Sequence, residues 1–267
     1  MFEHVIITGG SSGIGKATAI LLAEAGANIS LIARDRSKLK LAQQEIQSLM
    51  ASSGQQVRIF PADVAQAKEI EEAIHNAIAE NGVPDLLITS AGVAIPGYFA
   101  QIPIETFEQT MQVNYFGSLY AVRAVLPKMI EANRGQIVLI ASGAGLVGLF
   151  GYSAYSPSKF ALRGLAESLR GELKPKGVKV AIVYPPDTDT PQLVAENKTK
   201  PAETKAITAT AKTWTAEGVA QVILQGINKG QFAITPGLEM TILNRWHSAI
   251  APLLQYYFDL ITRKQKA

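Results

Sequence analysis

Tyr155 and Lys159 lie four positions apart in the segment Tyr155-Ser-Pro-Ser-Lys159. Because an α-helix has about 3.6 residues per turn, this spacing places both side chains on one helix face. Pro157 is compatible with a first helical turn, so we expect a helix that begins near Tyr155 and continues through Leu169. An ammonium group near a phenol stabilises the phenolate and lowers the phenol's pKa. The pair is therefore a candidate acid–base unit, although an aromatic residue facing a core beside a solvated lysine has the same spacing.

Two polar residues earlier in the chain are candidates to complete this unit. Ser142 follows a strand predicted over residues 136–141 and precedes the flexible segment Gly143-Ala144-Gly145. Asn114 lies within a helix predicted over residues 105–131, and its apolar neighbours indicate a buried side. An asparagine inside a helix usually faces solvent, so a buried position favours a hydrogen-bonding role.

A glycine-rich turn near the N-terminus has the composition of an anion-binding site. It follows the predicted strand His4–Thr8 and precedes a helix predicted over residues 13–26. Such a turn presents backbone N–H groups and a helix N-terminus to a phosphate, and glycines let a pyrophosphate approach the backbone. A tight turn without a ligand is the alternative, but the flanking strand and helix favour phosphate binding. The candidate residues are Gly9, Ser11, Ser12, Gly13, Ile14 and Gly15.

The turn after a second strand, predicted over residues 28–33, indicates which dinucleotide binds. In nucleotide-binding folds an acidic residue here holds the ribose 2′-hydroxyl, whereas an arginine accommodates a 2′-phosphate. Ala33 is not acidic and is followed by the basic residues Arg34 and Lys38, so the sequence favours NADP over NAD. A solvated basic turn is the alternative, and Asp35 would serve the ribose if the turn were shifted by one residue.

Two later strand ends supply further cofactor candidates. Asp63 and Val64 follow a strand predicted over residues 57–60, where Asp63 would lie near an adenine amino group or cap the helix predicted over residues 66–80. Ala91 and Gly92 follow a strand predicted over residues 85–89. Small residues at that point let the backbone lie close to a bulky ligand.

Strands and helices alternate along the chain, which predicts an α/β fold. With further strands over residues 178–184 and 232–235, we expect about seven strands in a doubly wound parallel sheet of the Rossmann type, covered by helices on both faces. Residues 1–239 are predicted to form one NADP-binding and catalytic domain. Within it, the polar residues 187–213 are expected to act as a substrate lid.

Residues 240–267 are predicted to form an apolar helical tail with aromatic residues and a basic end, at Arg263, Lys264 and Lys266. Charged residues leave its uncharged stretches too short for a membrane span. The tail is either an amphipathic helix that contacts a bilayer peripherally, or a helix that packs on the domain or at a subunit contact.

Composition excludes several other classes of protein. The chain of 267 residues is 48% hydrophobic and 18% charged, which is typical of a globular domain. It has no cysteine, which excludes disulfides and thiolate chemistry, and its 3 histidines are too scattered to predict a metal site. A net charge of +3 without a dense basic stripe argues against a nucleic-acid partner. The N-terminus lacks the pattern of a secretory signal, so we expect a cytoplasmic protein.

Together these motifs resemble the short-chain dehydrogenase/reductase family over nearly the whole chain. The segment from Thr8 to Gly15 is similar to the family's TGxxxGIG cofactor turn, and Ser90-Ala91-Gly92 stands where many members have Asn-Ala-Gly. The change at Ser90 affects a turn that supports the cofactor. Four residues match the catalytic set in the same order: Asn114, Ser142, Tyr155 and Lys159.

The resemblance implies an NADPH/NADP-dependent oxidoreductase that assembles as a dimer or tetramer, with further cofactor contacts at Pro185 and Thr188. It implies that Tyr155 protonates a substrate carbonyl oxygen to which Ser142 donates a hydrogen bond. Lys159 would lower the pKa of the phenol and hold the nicotinamide ribose, and Asn114 would order a water near Lys159.

Within the family, residues 184–191 and 195–201 are similar to members that reduce a long-chain 3-keto amine lipid in sphingolipid synthesis. Asp187 stands where most members have glycine. A long-chain keto-amine is therefore the expected substrate. Another lipid-like ketone, a 3-oxoacyl thioester, or a dinucleotide-binding sensor without turnover are the alternatives.

Overall fold

A computed structural model gives the fold and describes residues 2–209 and 212–264. Residues 210–211 of the predicted lid and residues 265–267 of the tail, including Lys266, lie outside the described part. The strands are β1 (His4–Thr8), β2 (Asn28–Ala33), β3 (Val57–Pro61), β4 (Leu86–Thr89), β5 (Gly135–Ile140), β6 (Val178–Val183), β7 (Thr188–Asp189), β8 (Trp214–Thr215) and β9 (Ala233–Ile234).

Ten α-helices connect and follow these strands in the described part of the chain. They are α1 (Gly13–Glu24), α2 (Arg36–Gln47), α3 (Ala67–Asn81), α4 (Ile104–Met111), α5 (Gly117–Glu131), α6 (Tyr155–Leu173), α7 (Pro191–Thr199), α8 (Ala202–Thr208), α9 (Ala216–Asn228) and α10 (Leu238–Lys264).

Seven parallel strands form one sheet in the order β3-β2-β1-β4-β5-β6-β9. The predicted fold class, a doubly wound parallel sheet, is confirmed. The chain leaves β1 toward one edge of the sheet and returns to β4 on the other side of β1, so the strand order reverses there. In open parallel sheets ligands bind at this reversal, beyond the carboxyl ends of the strands.

Both faces of the sheet are buried, which explains the nearly continuous runs of Val, Ile and Leu in its strands. On one face Ile6 of β1 and Leu87 of β4 pack against α3, α5 and α6. On the other face Val5 and Ile7 pack against α1, α2 and α9. Because side chains alternate along a strand, this pattern fixes the sheet between two helical layers and holds its carboxyl edge rigid.

The helix predicted over residues 105–131 is present but is not uniform. Between α4 and α5 the residues Gln112–Phe116 form a π-helix, with Asn114 at its centre. Such an extra turn changes the direction of side chains inside a helix and is frequent at functional sites. It directs the fully buried Asn114 toward the loop after β4.

The segment predicted as a lid contains more regular structure than its polar sequence indicated. It contains β7, α7 and α8, and β7 pairs in parallel with β8, which directly follows the segment, as a small second sheet. Thr190 begins α7 by accepting a hydrogen bond from the N–H of Leu193 at 3.3 Å. The tail forms α10, and no helix within residues 2–209 and 212–264 has a stretch that is both long and apolar enough to span a bilayer.

Candidate active site

The glycine-rich turn lies at the strand-order reversal and approaches the backbone after β4. Gly9 has a φ of +70°, and a Cβ built on it would lie 2.6 Å from the backbone nitrogen of Ala91. Gly13 has a φ of +54°. A Cβ on Gly15 would lie 2.5 Å from the carbonyl oxygen of Gly9. Glycine is therefore required for this conformation, which presents the N-terminus of α1 to the cavity.

A basic corner lies at the carboxyl end of β2. Arg34 and Lys38 both line the cavity and are mostly exposed. The carboxylate of Asp35 instead caps α2, because it accepts hydrogen bonds from the N–H groups of Ser37 at 2.9 Å and Lys38 at 3.0 Å. Asp35 also lines the cavity, and its other carboxylate oxygen lies 3.9 Å from the ammonium of Lys38. Arg34 and Lys38 supply two cations at the strand end where a 2′-phosphate is expected.

Asp63 lies at the next strand end but does not cap α3, so that part of the expectation is wrong. Gln66 occupies the N-cap position, whereas Asp63 accepts a hydrogen bond from the N–H of Ala65 at 3.0 Å. Its carboxylate also lies 3.8 Å from the guanidinium of Arg34. Asp63 and Val64 line the cavity next to the basic corner.

Tyr155 and Lys159 lie in the first turns of α6 and are both buried. The ammonium of Lys159 donates a hydrogen bond to the carbonyl of Ile140 at 3.0 Å and lies 5.5 Å from the centre of the Tyr155 ring. Ser142 and Gln192 lie beside the phenol, and hydrogen bonding from both side chains lowers the pKa of Tyr155. The sequence prediction of a shared helix face is thus realised, and Ser142 reaches the same phenol from the end of β5.

The pKa of the phenol differs from the expectation. Burial raises the pKa of Tyr155, the negative charge of Glu196 raises it further, and the hydrogen bonds from Ser142 and Gln192 offset this only in part. Burial also lowers the pKa of Lys159 to about 8. Desolvation is therefore the largest influence on the pKa of the phenol in this structure. Tyr155 is a protonated phenol at neutral pH, which suits a proton donor.

Asn114 stabilises the backbone that surrounds Tyr155 and Lys159. Its side-chain oxygen accepts from the N–H of Val93 at 2.8 Å, and its amide donates to the carbonyl of Val93 and to the hydroxyl of Ser158. A Cβ on Gly92 would lie 3.3 Å from the Asn114 oxygen and 3.6 Å from the Lys159 ammonium. Asn114 therefore joins the loop after β4 to α6 and lies near Lys159, although it does not line the cavity itself.

One continuous cavity of about 920 Å³ contains these groups. Most of the residues predicted from the sequence line it: Gly9, Ser11, Ser12, Gly13, Ile14, Arg34, Lys38, Asp63, Val64, Ala91, Gly92, Ser142, Tyr155, Lys159, Pro185 and Thr188. Gly15 and Asn114 support the wall from behind. The glycine turn, the basic corner and the close approach at Gly92 fit a dinucleotide that carries a 2′-phosphate.

The other half of the cavity contains residues that the sequence did not identify. Three polar residues, Tyr152, Gln192 and Glu196, lie beside Tyr155. Apolar residues of α10 extend the cavity away from them: Met240, Leu243, Ile250, Leu254, Tyr257 and Phe258. The resemblance over residues 195–201 included Glu196 but gave it no role, and the apolar spacing of the tail did not show which of its faces turns inward.

A Rossmann sheet with a glycine-rich phosphate turn, a buried Tyr-Lys pair and a half-buried serine beside them is typical of a nicotinamide-dependent oxidoreductase. The family model for short chain dehydrogenase matches residues 3–201, and the chain belongs to this family.

Among similar proteins, the 3-dehydrosphinganine reductase of Danio rerio is 43% identical over 251 residues, covering 94% of this chain and 76% of the relative. The 3-ketodihydrosphingosine reductase of Dictyostelium discoideum is 41% identical over 273 residues, covering 97% of this chain and 82% of the relative. A solved short-chain dehydrogenase from Sphingobium yanoikuyae in complex with NADPH is 26% identical, covers 96% of both chains and has a TM-score of 0.79.

Proposed function

We propose that this protein reduces 3-ketodihydrosphingosine to dihydrosphingosine with NADPH, as part of sphingolipid synthesis. Relatives of this chain that cover most of its length carry that activity in their names. The observation that carries the proposal is the cavity: it joins a phosphate-binding turn, a buried phenol donor and an apolar channel within one space. A ketone with a long alkyl chain fits this combination.

The residues around the phenol account for the chemistry of such a reduction. When bound, NADPH supplies the hydride that adds to the substrate carbonyl carbon. Tyr155 donates its O–H proton to the carbonyl oxygen, and Ser142 stabilises the negative charge that develops there. Lys159 holds a positive charge behind the phenol, which stabilises the phenolate left after proton transfer. Asn114 keeps the loop after β4 and α6 in register, so that the phenol stays in position.

One half of the cavity is proposed to bind the cofactor and the other half the substrate. The glycine turn is proposed to hold the pyrophosphate, and Arg34 and Lys38 the 2′-phosphate. Asp63 and Val64 are proposed to lie on the adenosine side and Pro185 and Thr188 on the nicotinamide side. Ala91 and Gly92 are proposed to lie between them, with Gly92 beside Lys159. Residues 1–239 then act as the catalytic domain, and residues 187–213 close over the substrate. In residues 240–267, α10 supplies the apolar wall for the alkyl chain.

The substrate is a membrane lipid by its chemistry, and α10 offers a way to reach it. While Ile250 and Leu254 face the cavity, Trp246 and Tyr256 of the same helix are 62% and 61% exposed. We propose that this outer face contacts the surface of a bilayer peripherally from the cytoplasm and that the lipid enters beside it.

The protein is also proposed to be a homo-oligomer, a dimer or tetramer, built on α5 and α6. Phe116 beside α5 is 36% exposed and Phe160 on α6 is 39% exposed. Partly exposed aromatic residues on two neighbouring long helices are typical of subunit contacts. Sedimentation of the protein and of a Phe160→Glu variant tests this proposal. A monomeric wild type would contradict it.

The direct test is a substrate comparison with purified protein. NADPH absorbance is followed with 3-ketodihydrosphingosine and, separately, with a 3-oxoacyl thioester of matched chain length. We expect turnover with the keto-amine and little with the thioester. Preference for the thioester would indicate a reductase of another class, and dinucleotide binding without turnover of either compound would indicate a sensor.

A further inference from the structure

A buried carboxylate in the substrate half of the cavity has no role in the chemistry described above. Glu196 on α7 is 7% exposed and lines the cavity. One of its oxygens accepts a hydrogen bond from the Tyr152 hydroxyl at 2.8 Å, and the other accepts from the Gln192 amide at 2.9 Å. A buried charge is costly unless it is paired, so a cation bound at this position would stabilise the carboxylate.

The charges around Glu196 leave room for that cation. The positive charge of Lys200 lowers the pKa of Glu196, but its ammonium is hydrogen-bonded to the Asp187 carboxylate at 3.3 Å and lies over the Tyr152 ring. The ammonium of Lys159 donates its hydrogen bond to the Ile140 carbonyl at 3.0 Å. Within residues 2–209 and 212–264, Glu196 forms no ion pair within 4.0 Å.

Glu196 is held close to the proton donor by Gln192 and Tyr152. Gln192 donates a hydrogen bond to one carboxylate oxygen, and Tyr152, which donates to the other, has its ring 5.6 Å from the Tyr155 ring. In a 2-amino ketone the ammonium group is attached to the carbon next to the carbonyl carbon. A substrate whose carbonyl oxygen faces Tyr155 can therefore place its ammonium group toward Glu196.

We propose that Glu196, oriented by Tyr152 and Gln192, binds the ammonium group of the substrate and thereby selects 2-amino ketones over ketones without an amine. This assignment rests on the proposed reduction of a long-chain keto-amine and gives that reaction its head-group specificity. Binding of a cation also removes the negative charge that raises the pKa of Tyr155, so the correct substrate makes the phenol a better acid.

The test compares two substrates and two variants. The substrates are 3-ketodihydrosphingosine and its analogue in which hydrogen replaces the amine. The variants are Glu196→Gln, which keeps the shape, and the matched control Glu203→Gln. Glu203 is a buried carboxylate on α8 that also accepts a hydrogen bond from a tyrosine, Tyr98 at 3.0 Å, but it does not line the cavity.

Wild type is expected to prefer the amine substrate in kcat/KM by about tenfold or more, the usual value of a charge-assisted hydrogen bond. Glu196→Gln should lose this preference through a higher KM for the amine, while the KM for the analogue should not rise. Glu203→Gln should keep the preference. An unchanged preference in Glu196→Gln, or equal losses with both substrates, would overturn the assignment.

Wild type alone also tests the assignment if the variant does not fold, because reduction of both compounds with equal kcat/KM contradicts it. Reduction of neither compound would instead contradict the proposed function itself. The two failures are therefore distinguishable.

Discussion

The preference for NADPH over NADH should depend on Arg34. Its guanidinium lines the cavity at the end of β2, is 60% exposed and lies 3.8 Å from the nearest acidic group, Asp63. A hydrogen bond between charged groups contributes about 1.5–3 kcal/mol, and exposure to solvent reduces this value. We therefore expect about 1–2 kcal/mol, so Arg34→Ala should weaken NADPH binding by about 5- to 30-fold. NADH lacks the 2′-phosphate, and its affinity should change less than about twofold.

Arg36→Ala is the matched control, because it removes the same charge two positions further along the chain. Arg36 is exposed in the first turn of α2 and does not line the cavity. Dissociation constants for both cofactors are measured by quenching of protein fluorescence at low and at physiological salt. Because salt screens charges, the difference in NADPH affinity between wild type and Arg34→Ala should be smaller at physiological salt than at low salt. Equal losses of NADPH and NADH affinity, or an equal effect of Arg36→Ala, would refute a phosphate-binding role.

Three further predictions concern catalysis, stability and membrane contact. Tyr155→Phe should reduce turnover by about 10³ or more while the affinity for NADPH stays unchanged; appreciable turnover in the NADPH absorbance assay would contradict proton donation by this residue. Burial lowers the pKa of His4, so its ring is neutral when folded, and the unfolded chain takes up the proton first as pH falls below about 6.5. Urea denaturation of wild type should therefore show a free energy of unfolding that falls from pH 7 to pH 5. His4→Gln should have a lower free energy of unfolding at pH 8 but a smaller change between pH 7 and pH 5. If the free energy of unfolding falls with pH equally in both proteins, this would argue against the linkage. A Trp246→Glu, Tyr256→Glu double variant should lose co-sedimentation with anionic vesicles and keep turnover of a short-chain, water-soluble substrate; undiminished vesicle binding would place the contact elsewhere.

Sequence reasoning located the sheet and the cofactor half of the site because these depend on local patterns. β1 and β2 have the predicted bounds, since β-branched runs end at glycine or at a basic turn. The glycines that the phosphate turn requires, Gly9, Gly13 and Gly15, lie within one stretch of seven residues. Tyr155 and Lys159 share a helix face because the helix period fixes their spacing. Each of these features needs only a few neighbouring residues to specify it.

The substrate half could not be located in the same way because its residues meet only through tertiary packing. The π-helix around Asn114 breaks the helical period without a proline or glycine at that residue to signal it. The capping of α2 by Asp35 depends on hydrogen bonds that the sequence alone does not specify. The pKa of Tyr155 depends on its burial and on Glu196, and neither follows from the spacing between Tyr155 and Lys159.

Asp187 connects the unusual turn after β6 to the residue proposed to bind the amine. Its carboxylate pairs with Lys200, which follows the last residue of α7 and has a side chain only 2% exposed. Its carbonyl accepts a hydrogen bond from the N–H of Trp214 at 2.9 Å, which joins the turn to β8. Asp187 thus fixes both the start and the end of the segment that carries Glu196, and glycine at this position would leave the buried Lys200 without its carboxylate. The departure from the family's usual glycine is therefore explained by the demands of the substrate half of the site, where a rigid α7 holds a carboxylate beside the phenol.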